Sequence, residues 1–390
     1  MRKGWVYKRI KDICDYINRG TTPDYVENSL YKVVNQATFS KGYWDIENIR
    51  YSTNNKKEAL IRKGDLLIAS TGGGVLGKVY YVEEENESYY ADSHVTIMRS
   101  SDNTTNMKYL YYFFSINYQM INALLAKGAT NQTELQRNKL LDFVLKIPPL
   151  QEQFLITDYL DKKTSHINSL IVLLEKKRDV YQRLKKGVIN NAVTKGLNPH
   201  IKLKDSKIDW LGQIPIHWKM KRIKDLANIR NGSDYKKYEE DYGYPVIGSG
   251  GQFAYSSKYL YDGEAVLFGR KGTIDRPLYV NCKFWTVDTM FYLICSKDTS
   301  TRFFYYMSLI IPFKSYSTAT ALPSMTQKDI NQCILGVPPI SEQQEIATYL
   351  DEQSEKIDAI VTNINSQIQR LQTLRKSLIR EIVTGEKDII

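Results

Sequence analysis

One segment of this chain is written twice without a gap. Pro148-Pro149, Glu152-Gln153, Ile156, Tyr159-Leu160-Asp161, Ile167, Leu184, Lys186, Ile189 and Val193-Thr194 recur, all at one offset of 190, as Pro338-Pro339, Glu342-Gln343, Ile346, Tyr349-Leu350-Asp351, Ile357, Leu374, Lys376, Ile379 and Val383-Thr384. A repeat that tolerates no insertion over such a span calls for a rigid element whose length matters. A second echo stands ahead of each copy: Trp5 and Lys8-Arg9-Ile10-Lys11-Asp12 return as Trp218 and Lys221-Arg222-Ile223-Lys224-Asp225, at an offset of 213. The chain therefore reads as two units, each a globular domain followed by a helix.

The repeated segments carry heptads. Counting from Leu160, the a positions are Leu160, Ile167, Leu174, Tyr181 and Val188, and in the second copy Leu350, Ile357, Ile364, Leu371 and Leu378, all apolar. The d positions alternate polar and apolar at matching heights, Lys163, Leu170, Lys177, Leu184 and Asn191 against Gln353, Ile360, Gln367, Leu374 and Glu381. This pattern predicts a coiled-coil seam whose polar positions fix register. Pro149 and Pro339 suit a first helical turn, and Gly196 and Gly385 suit C-terminal caps. Roughly 45 residues at about 1.5 Å each reach on the order of 65 Å. Segment 147–196 carries nine basic and five acidic residues, whereas 337–386 carries five and eight, so the two helices attract. Two equivalent units close most simply about a pseudo-twofold axis, which makes the pair antiparallel.

The expected fold class is α+β: two α/β domains joined by two long helices in an antiparallel coiled coil, with an internal pseudo-twofold repeat. The expected boundaries are domain one at 1–147, helix one at 148–196, a linker at 197–209, domain two at 210–337 and helix two at 338–390. With 42% hydrophobic and 25% charged residues, 390 residues suffice for real cores. No apolar run is long enough for a membrane helix, and Met1-Arg2-Lys3 opens no signal peptide, so a cytoplasmic location and no membrane partner are expected. Cys14, Cys282, Cys295 and Cys333 lack C-x-x-C spacing and nearby histidines, which predicts reduced core residues.

A net charge of +11, concentrated outside the repeated helices, together with 29 tyrosines, suits a polyanionic partner. Both domains share a frame. A Gly-acid-apolar strand, Gly64-Asp65-Leu66-Leu67-Ile68 or Gly263-Glu264-Ala265-Val266-Leu267, runs into a glycine loop, and aromatic helical stretches follow around Tyr111-Tyr112 and Tyr305-Tyr306. The intervening 24–60 and 233–262 are unrelated, which suggests two different ligands of one kind. Gly72-Gly73-Gly74-Val75-Leu76-Gly77-Lys78 formally satisfies a nucleotide-binding pattern, yet Lys78-Val79-Tyr80-Tyr81-Val82 reads as a strand where phosphate binding needs a helix N-terminus. A flexible turn that approaches DNA, or a plain hairpin, is the expectation instead. The counterpart Gly269-Arg270-Lys271-Gly272-Thr273 places two cations on a bare loop. His94, His166, His200 and His217 form no metal-ligand motif, and Pro148-Pro149 and Pro338-Pro339 lack the preceding Asn of a base amino-methylation motif. The chain reads as a binder, not an enzyme.

The segments Pro148-Pro149-Leu150-Gln151-Glu152-Gln153 and Pro338-Pro339-Ile340-Ser341-Glu342-Gln343, with Trp210-Leu211-Gly212-Gln213-Ile214-Pro215-Ile216-His217-Trp218 between them, closely resemble the DNA specificity subunit of type I restriction-modification systems. The resemblance covers essentially the whole chain. It implies two target recognition domains, each reading half of a bipartite site on double-stranded DNA, and a coiled coil that sets the spacer. It also implies two docked methyltransferase subunits, which would hold S-adenosylmethionine, further restriction/translocase subunits, and no cofactor or metal in this chain. Asn35, Gln36, Thr71, Lys78, Lys236, Lys237, Ser249, Arg270, Lys271 and Thr273 are the candidate DNA contacts, since Arg suits guanine and Asn or Gln suits adenine. Two rival readings are a repeat-built DNA-binding scaffold acting without a methyltransferase, and a nuclease using acids such as Asp24, Glu27 and Asp65.

Overall fold

The computed structural model describes residues 4–53, 56–72, 74–84, 88–101, 104–127, 133–316 and 323–389. The chain divides into two compact units, one of residues 1–174 with 367–390, the other of residues 175–366. The division falls inside the two long helices. Within the expected linker, Leu203–Asp205 is a strand paired antiparallel to Gln213–Pro215.

In the first unit a four-stranded sheet is built from β1 (Tyr16–Arg19), β2 (Leu66–Ala69), β3 (Val79–Tyr81) and β4 (Val95–Arg99), in the order β1-β4-β2-β3. Every residue of β2 is buried, as a central strand covered on both faces requires. Its inner face joins α1 (Met107–Ile116), which contributes Tyr109, Leu110 and Phe114 to the core. The insert 24–60 supplies the short strands Tyr25–Val26, Tyr31–Val34 and Arg50–Ser52, which form a separate sheet with Tyr89–Ala91. The helix α2 (Leu150–Lys195) begins in this unit.

The second unit repeats the frame. Strands β5 (Ala227–Asn231), β6 (Tyr261–Gly269), β7 (Leu278–Thr286) and β8 (Met290–Cys295) run in the order β5-β8-β6-β7, with α3 (Thr301–Ser308) following. Here the insert does not stand apart. Tyr244–Gly248 pairs parallel to β7 at Val246 and Ile247, extending the sheet to seven strands. The reason is that β7 runs nine residues unbroken, whereas β3 in the first unit stops after three. Cys282 lies on β7 and is exposed, against the expectation of four core cysteines; Cys14 and Cys333 are buried.

Both domains hold their long helices by one device. Trp5 Nε1 donates to Glu152 Oε1 and Trp218 Nε1 to Glu342 Oε1, each at 3.1 Å. One residue on, Gln153 and Gln343 donate to the carbonyls of Pro148 and Pro338 at 2.9 Å, and accept from the backbone N–H of Asn106 and Ser300 at 2.9 Å. Asn106 and Ser300 are the N-caps of α1 and α3. The Gln thus satisfies a backbone carbonyl and a backbone N–H beside the helix starts, while the Glu holds the indole N–H of its domain's Trp. Two turns further, Tyr112 donates to Asp161 and Tyr306 to Asp351, each at 2.6 Å, with Lys108 and Arg302 as the paired cations. Burial, reinforced by Asp351, pushes the Tyr306 phenol up to about 12.

The second long helix, α4, spans Ile340–Val383. Pro149 and Pro339 sit just ahead of α2 and α4, while Gly196 and Gly385 adopt φ of 74° and 75° beyond their ends, where a side chain would be strained. In the first unit Ile156 and Leu160 of α2 share a core with Ile379, Ile382 and Val383 of α4. In the second, Ile189, Ala192 and Val193 share one with Ile346, Ala347 and Leu350. The early part of each helix therefore meets the late part of the other, an antiparallel pairing in each unit. Lys185 reinforces it by binding Asp358 at 2.6 Å.

The seam differs from the heptad expectation in one respect. Of the a positions, Leu160, Ile167, Leu350, Ile357 and Ile364 are buried, and Leu174, Tyr181, Val188, Leu371 and Leu378 are half-buried. The apolar d residues Leu170, Leu184, Ile360 and Leu374 are exposed. Four residues after the a positions, Thr164, Ala192, Ser354, Ile368 and Ile382 are buried and Ile171 and Val361 half-buried, which marks the second stripe. Spacings of three and four lie on either side of the helical repeat of 3.6 and both return to nearly the same face, so the packed partner decides between them.

Candidate nucleic-acid interface

In the first unit the polar cluster grows from the end of β2. Ser70, Thr71 and Gly72 continue that strand and are tied to the segment before residue 136: Leu135 N–H donates to Ser70 O at 2.8 Å, and Gly72 N–H to Thr133 O at 3.1 Å. This places the Thr71 hydroxyl 2.8 Å from His94 Nδ1 and 3.2 Å from Gln36 Oε1, to which it donates. From the end of β1, Arg19 reaches Ser70 O and Glu134 Oε1, each at 3.2 Å. Glycine follows Arg19 by necessity, because a Cβ on Gly20 would lie 2.0 Å from the carbonyl oxygen of Ala91.

The second unit repeats this loop with different side chains. Gly272 N–H donates to Pro323 O at 2.9 Å and Met325 N–H to Arg270 O at 3.0 Å. Asn231, at the end of β5, accepts from Gln327 at 3.0 Å, and Gly232 after it has a Cβ position 2.0 Å from Val287 O. Arg270 and Lys271 are exposed, the Arg270 guanidinium lying 5.7 Å from the Phe291 ring centroid. An Arg/Lys loop next to an aromatic face has the charge for phosphate and the fork for a guanine edge. Thr273 is half-buried, its carbonyl packed against Gly269.

Of the other candidates, Asn35 is engaged at both ends of its amide. Its Oδ1 accepts from Ala37 N–H and its Nδ2 donates to Asn48 O, both at 2.8 Å, so it caps the short helix Gln36–Phe39. Lys236 pairs with Glu239 at 3.1 Å and stands over Tyr235, while Lys237 stands over Tyr238, 5.8 Å from its centroid. Ser249 is half-buried in the turn between two insert strands. Lys78 is half-buried where the glycine turn rejoins β3.

The described residues of the glycine turn are hydrogen-bonded and packed, and Gly73 lies outside the described residues. Gly77 N–H donates to Ala69 O at 2.8 Å, Tyr118 donates to Gly74 O at 3.1 Å, and a Cβ on Gly77 would sit 3.1 Å from Ile121. The strand β3, not a helix, follows it. Among the rival acids, Asp65 is fully buried, with Arg99 donating to both carboxylate oxygens at 2.6 and 2.7 Å. No group of three or more His, Cys, Asp or Glu able to hold a metal ion occurs among the described residues.

Sequence reasoning passed over Arg19, His94, Glu134, Asn231 and Gln327. The first and fourth were findable, since Arg19-Gly20 and Asn231-Gly232 are polar-glycine pairs at an offset of 212, beside the opening echo.

Two pseudo-equivalent domains, each presenting a pinned polar loop and each clamped to paired antiparallel helices, define a duplicated recognition protein. Residues 2–176 and 215–370 match the type I restriction modification DNA specificity domain, and the chain belongs to that family. A chain of Methanocaldococcus jannaschii named for the MjaX type I restriction enzyme specificity subunit is 24% identical over 98% of this chain and 93% of its own length. The EcoKI specificity subunit of Escherichia coli is 20% identical over 98% of this chain and 89% of its own. Among solved structures, a chain from work on complex assembly and conformational transition of the type I R-M system superposes with a TM-score of 0.75, 14% identity and 99% coverage of both chains. The HsdS subunit from Thermoanaerobacter tengcongensis gives 0.51, with 14% identity and 99% and 98% coverage. No helix among the described residues is long and apolar enough to cross a membrane.

Proposed function

We propose that this chain is the non-catalytic, DNA-reading subunit of a type I restriction-modification enzyme and works in the cytoplasm. Each domain reads one half of a bipartite site on double-stranded DNA, and the paired helices set the interval between the halves. Two methyltransferase subunits, which hold S-adenosylmethionine, dock on this chain, and restriction/translocase subunits join them. The observation that carries the reading is one loop kept in both units with its side chains exchanged: Thr71 with Gln36 and His94 in the first, Arg270 with Lys271 in the second. A conserved frame with changed chemistry is what two half-sites of different sequence require.

Half-sites about one helical turn apart, roughly 34 to 36 Å, are readable from one side of a duplex by two rigidly linked domains. The test is to purify the chain with the methyltransferase of the same system and map methylated positions in genomic DNA. Exchanging residues 20–140 for those of another family member changes one half-site only; removing one heptad between 160 and 188 changes or abolishes the recognised spacing. Unchanged spacing in the heptad variant refutes the role given to the helices.

A further inference from the structure

In the second unit Lys185 Nζ lies 2.7 and 2.6 Å from the two carboxylate oxygens of Asp358. The repeat offset of 190 carries Lys185 onto Arg375 and Asp358 onto Asn168, both in the first unit. There the cation is kept and the carboxylate is replaced by an amide. Arg375 and Asn168 line one open cavity of about 790 Å3, with Lys108, Asp161, Tyr112 and Leu173 in its walls. The Arg375 Nε is shielded from solvent and finds no hydrogen-bond partner among the described residues.

The acids already in the cavity are engaged elsewhere. Glu83 and Asp161 bind Lys108 at 2.6 and 2.8 Å, and Asp161 also accepts from Tyr112. A guanidinium donor buried without an acceptor is costly, and a charge-assisted bond to a carboxylate is the strongest remedy available to it. Part of the rim is apolar, with Val172 46% and Leu173 61% exposed beside Ser165 and Ser169.

We propose that this cavity receives the carboxylate of an Asp or Glu side chain from a docked methyltransferase subunit, with neighbouring apolar residues of that subunit covering Val172 and Leu173. The proposal rests on the reading that methyltransferase subunits dock on this chain. A protein carboxylate fits better than a DNA phosphate, because it arrives with apolar neighbours that can cover Val172 and Leu173, from which a hydrated phosphate backbone gains nothing.

The test uses the full chain and the purified methyltransferase subunit of the same system, without DNA, titrated by native mass spectrometry and calorimetry. Asn168→Asp supplies internally the acid that Asp358 supplies in the second unit. It is expected to raise the melting temperature of the free chain and to weaken the binding of one methyltransferase copy about tenfold or more. Arg375→Gln is expected to weaken the same copy without raising the melting temperature. If both variants bind two copies within about twofold of wild type, the proposal is overturned, and so it is if they lose DNA affinity alone, which assigns the cavity to phosphate. If the wild-type chain itself binds no methyltransferase, the underlying reading fails and takes this one with it; loss confined to the variants leaves that reading standing.

Discussion

Gln343 offers the sharpest test of how a domain is fastened to its helix. Only 1% exposed, it donates to Pro338 O at 2.9 Å and to Asp298 O at 3.2 Å, and it accepts from Ser300 N–H at 2.9 Å. Gln343→Ala removes all three bonds. Asp298 is an exposed residue and its carbonyl can turn to water, but the Pro338 carbonyl and the Ser300 N–H lose their partner inside the protein. Each of these two groups left unmade costs about 1–3 kcal/mol, so a loss of about 2–6 kcal/mol is expected from the second unit. Gln343→Glu keeps the size and the acceptor for Ser300 but turns a carboxylate toward the Pro338 carbonyl, and should be at least as damaging. Urea unfolding followed by tryptophan fluorescence reads this directly, because Trp218 is buried and bound to the adjacent Glu342. A Gln343→Ala loss below about 1 kcal/mol, or a Gln343→Glu variant as stable as wild type, refutes the argument that these hydrogen bonds, rather than side-chain volume, hold the helix start.

Three further outcomes are expected. Ile364→Ala, at a buried seam position, should cost about 2–4 kcal/mol, whereas Leu374→Ala, 55% exposed, should cost under about 0.5 kcal/mol in the isolated chain; equal costs in thermal melts restore the three-residue spacing. Tyr306 keeps its proton to about 12 in the folded chain, above its ordinary value of 10, so its contribution is intact below pH 10 and is lost as pH rises through 12. Tyr306→Phe should flatten that alkaline decline in melting temperature, with a spectrophotometric phenol titration as the check. Lys271→Ala should lower DNA affinity evenly across sequences and reduce the salt slope by about one if it meets a phosphate, or relax a single base position if it reads an edge; no change in either removes it from the interface.

The large architecture was legible because two physical signals were strong. A gapless offset over the helices exposes length constraint, and apolar a positions expose the buried side. The second stripe falls at a spacing of four where three is expected, since the two spacings straddle the helical period and only the packed partner decides. The Glu-Gln pair was visible as a motif but not as a clamp: Gln153 and Gln343 bind backbone groups, which no sequence displays, and Glu152 and Glu342 accept from the distant Trp5 and Trp218. Arg270 and Lys271 are exposed, as charge on glycine-flanked positions suggests, whereas the Asn35 amide is bound in a helix cap, a use the sequence does not distinguish from reading adenine. His94 and Glu134 escaped because they join Thr71 only after the strands pair.

The first unit is assembled from both ends of the chain: its core draws on Ile379, Ile382 and Val383 of α4, whereas the second unit is one uninterrupted stretch. On a ribosome the amino-terminal domain must therefore wait, its apolar floor open, until the last turns emerge, while the later-made unit can close first. Birth order and completion order run opposite ways, and a chain cut short by a few turns at its carboxyl end would leave the earliest-made domain the unfinished one.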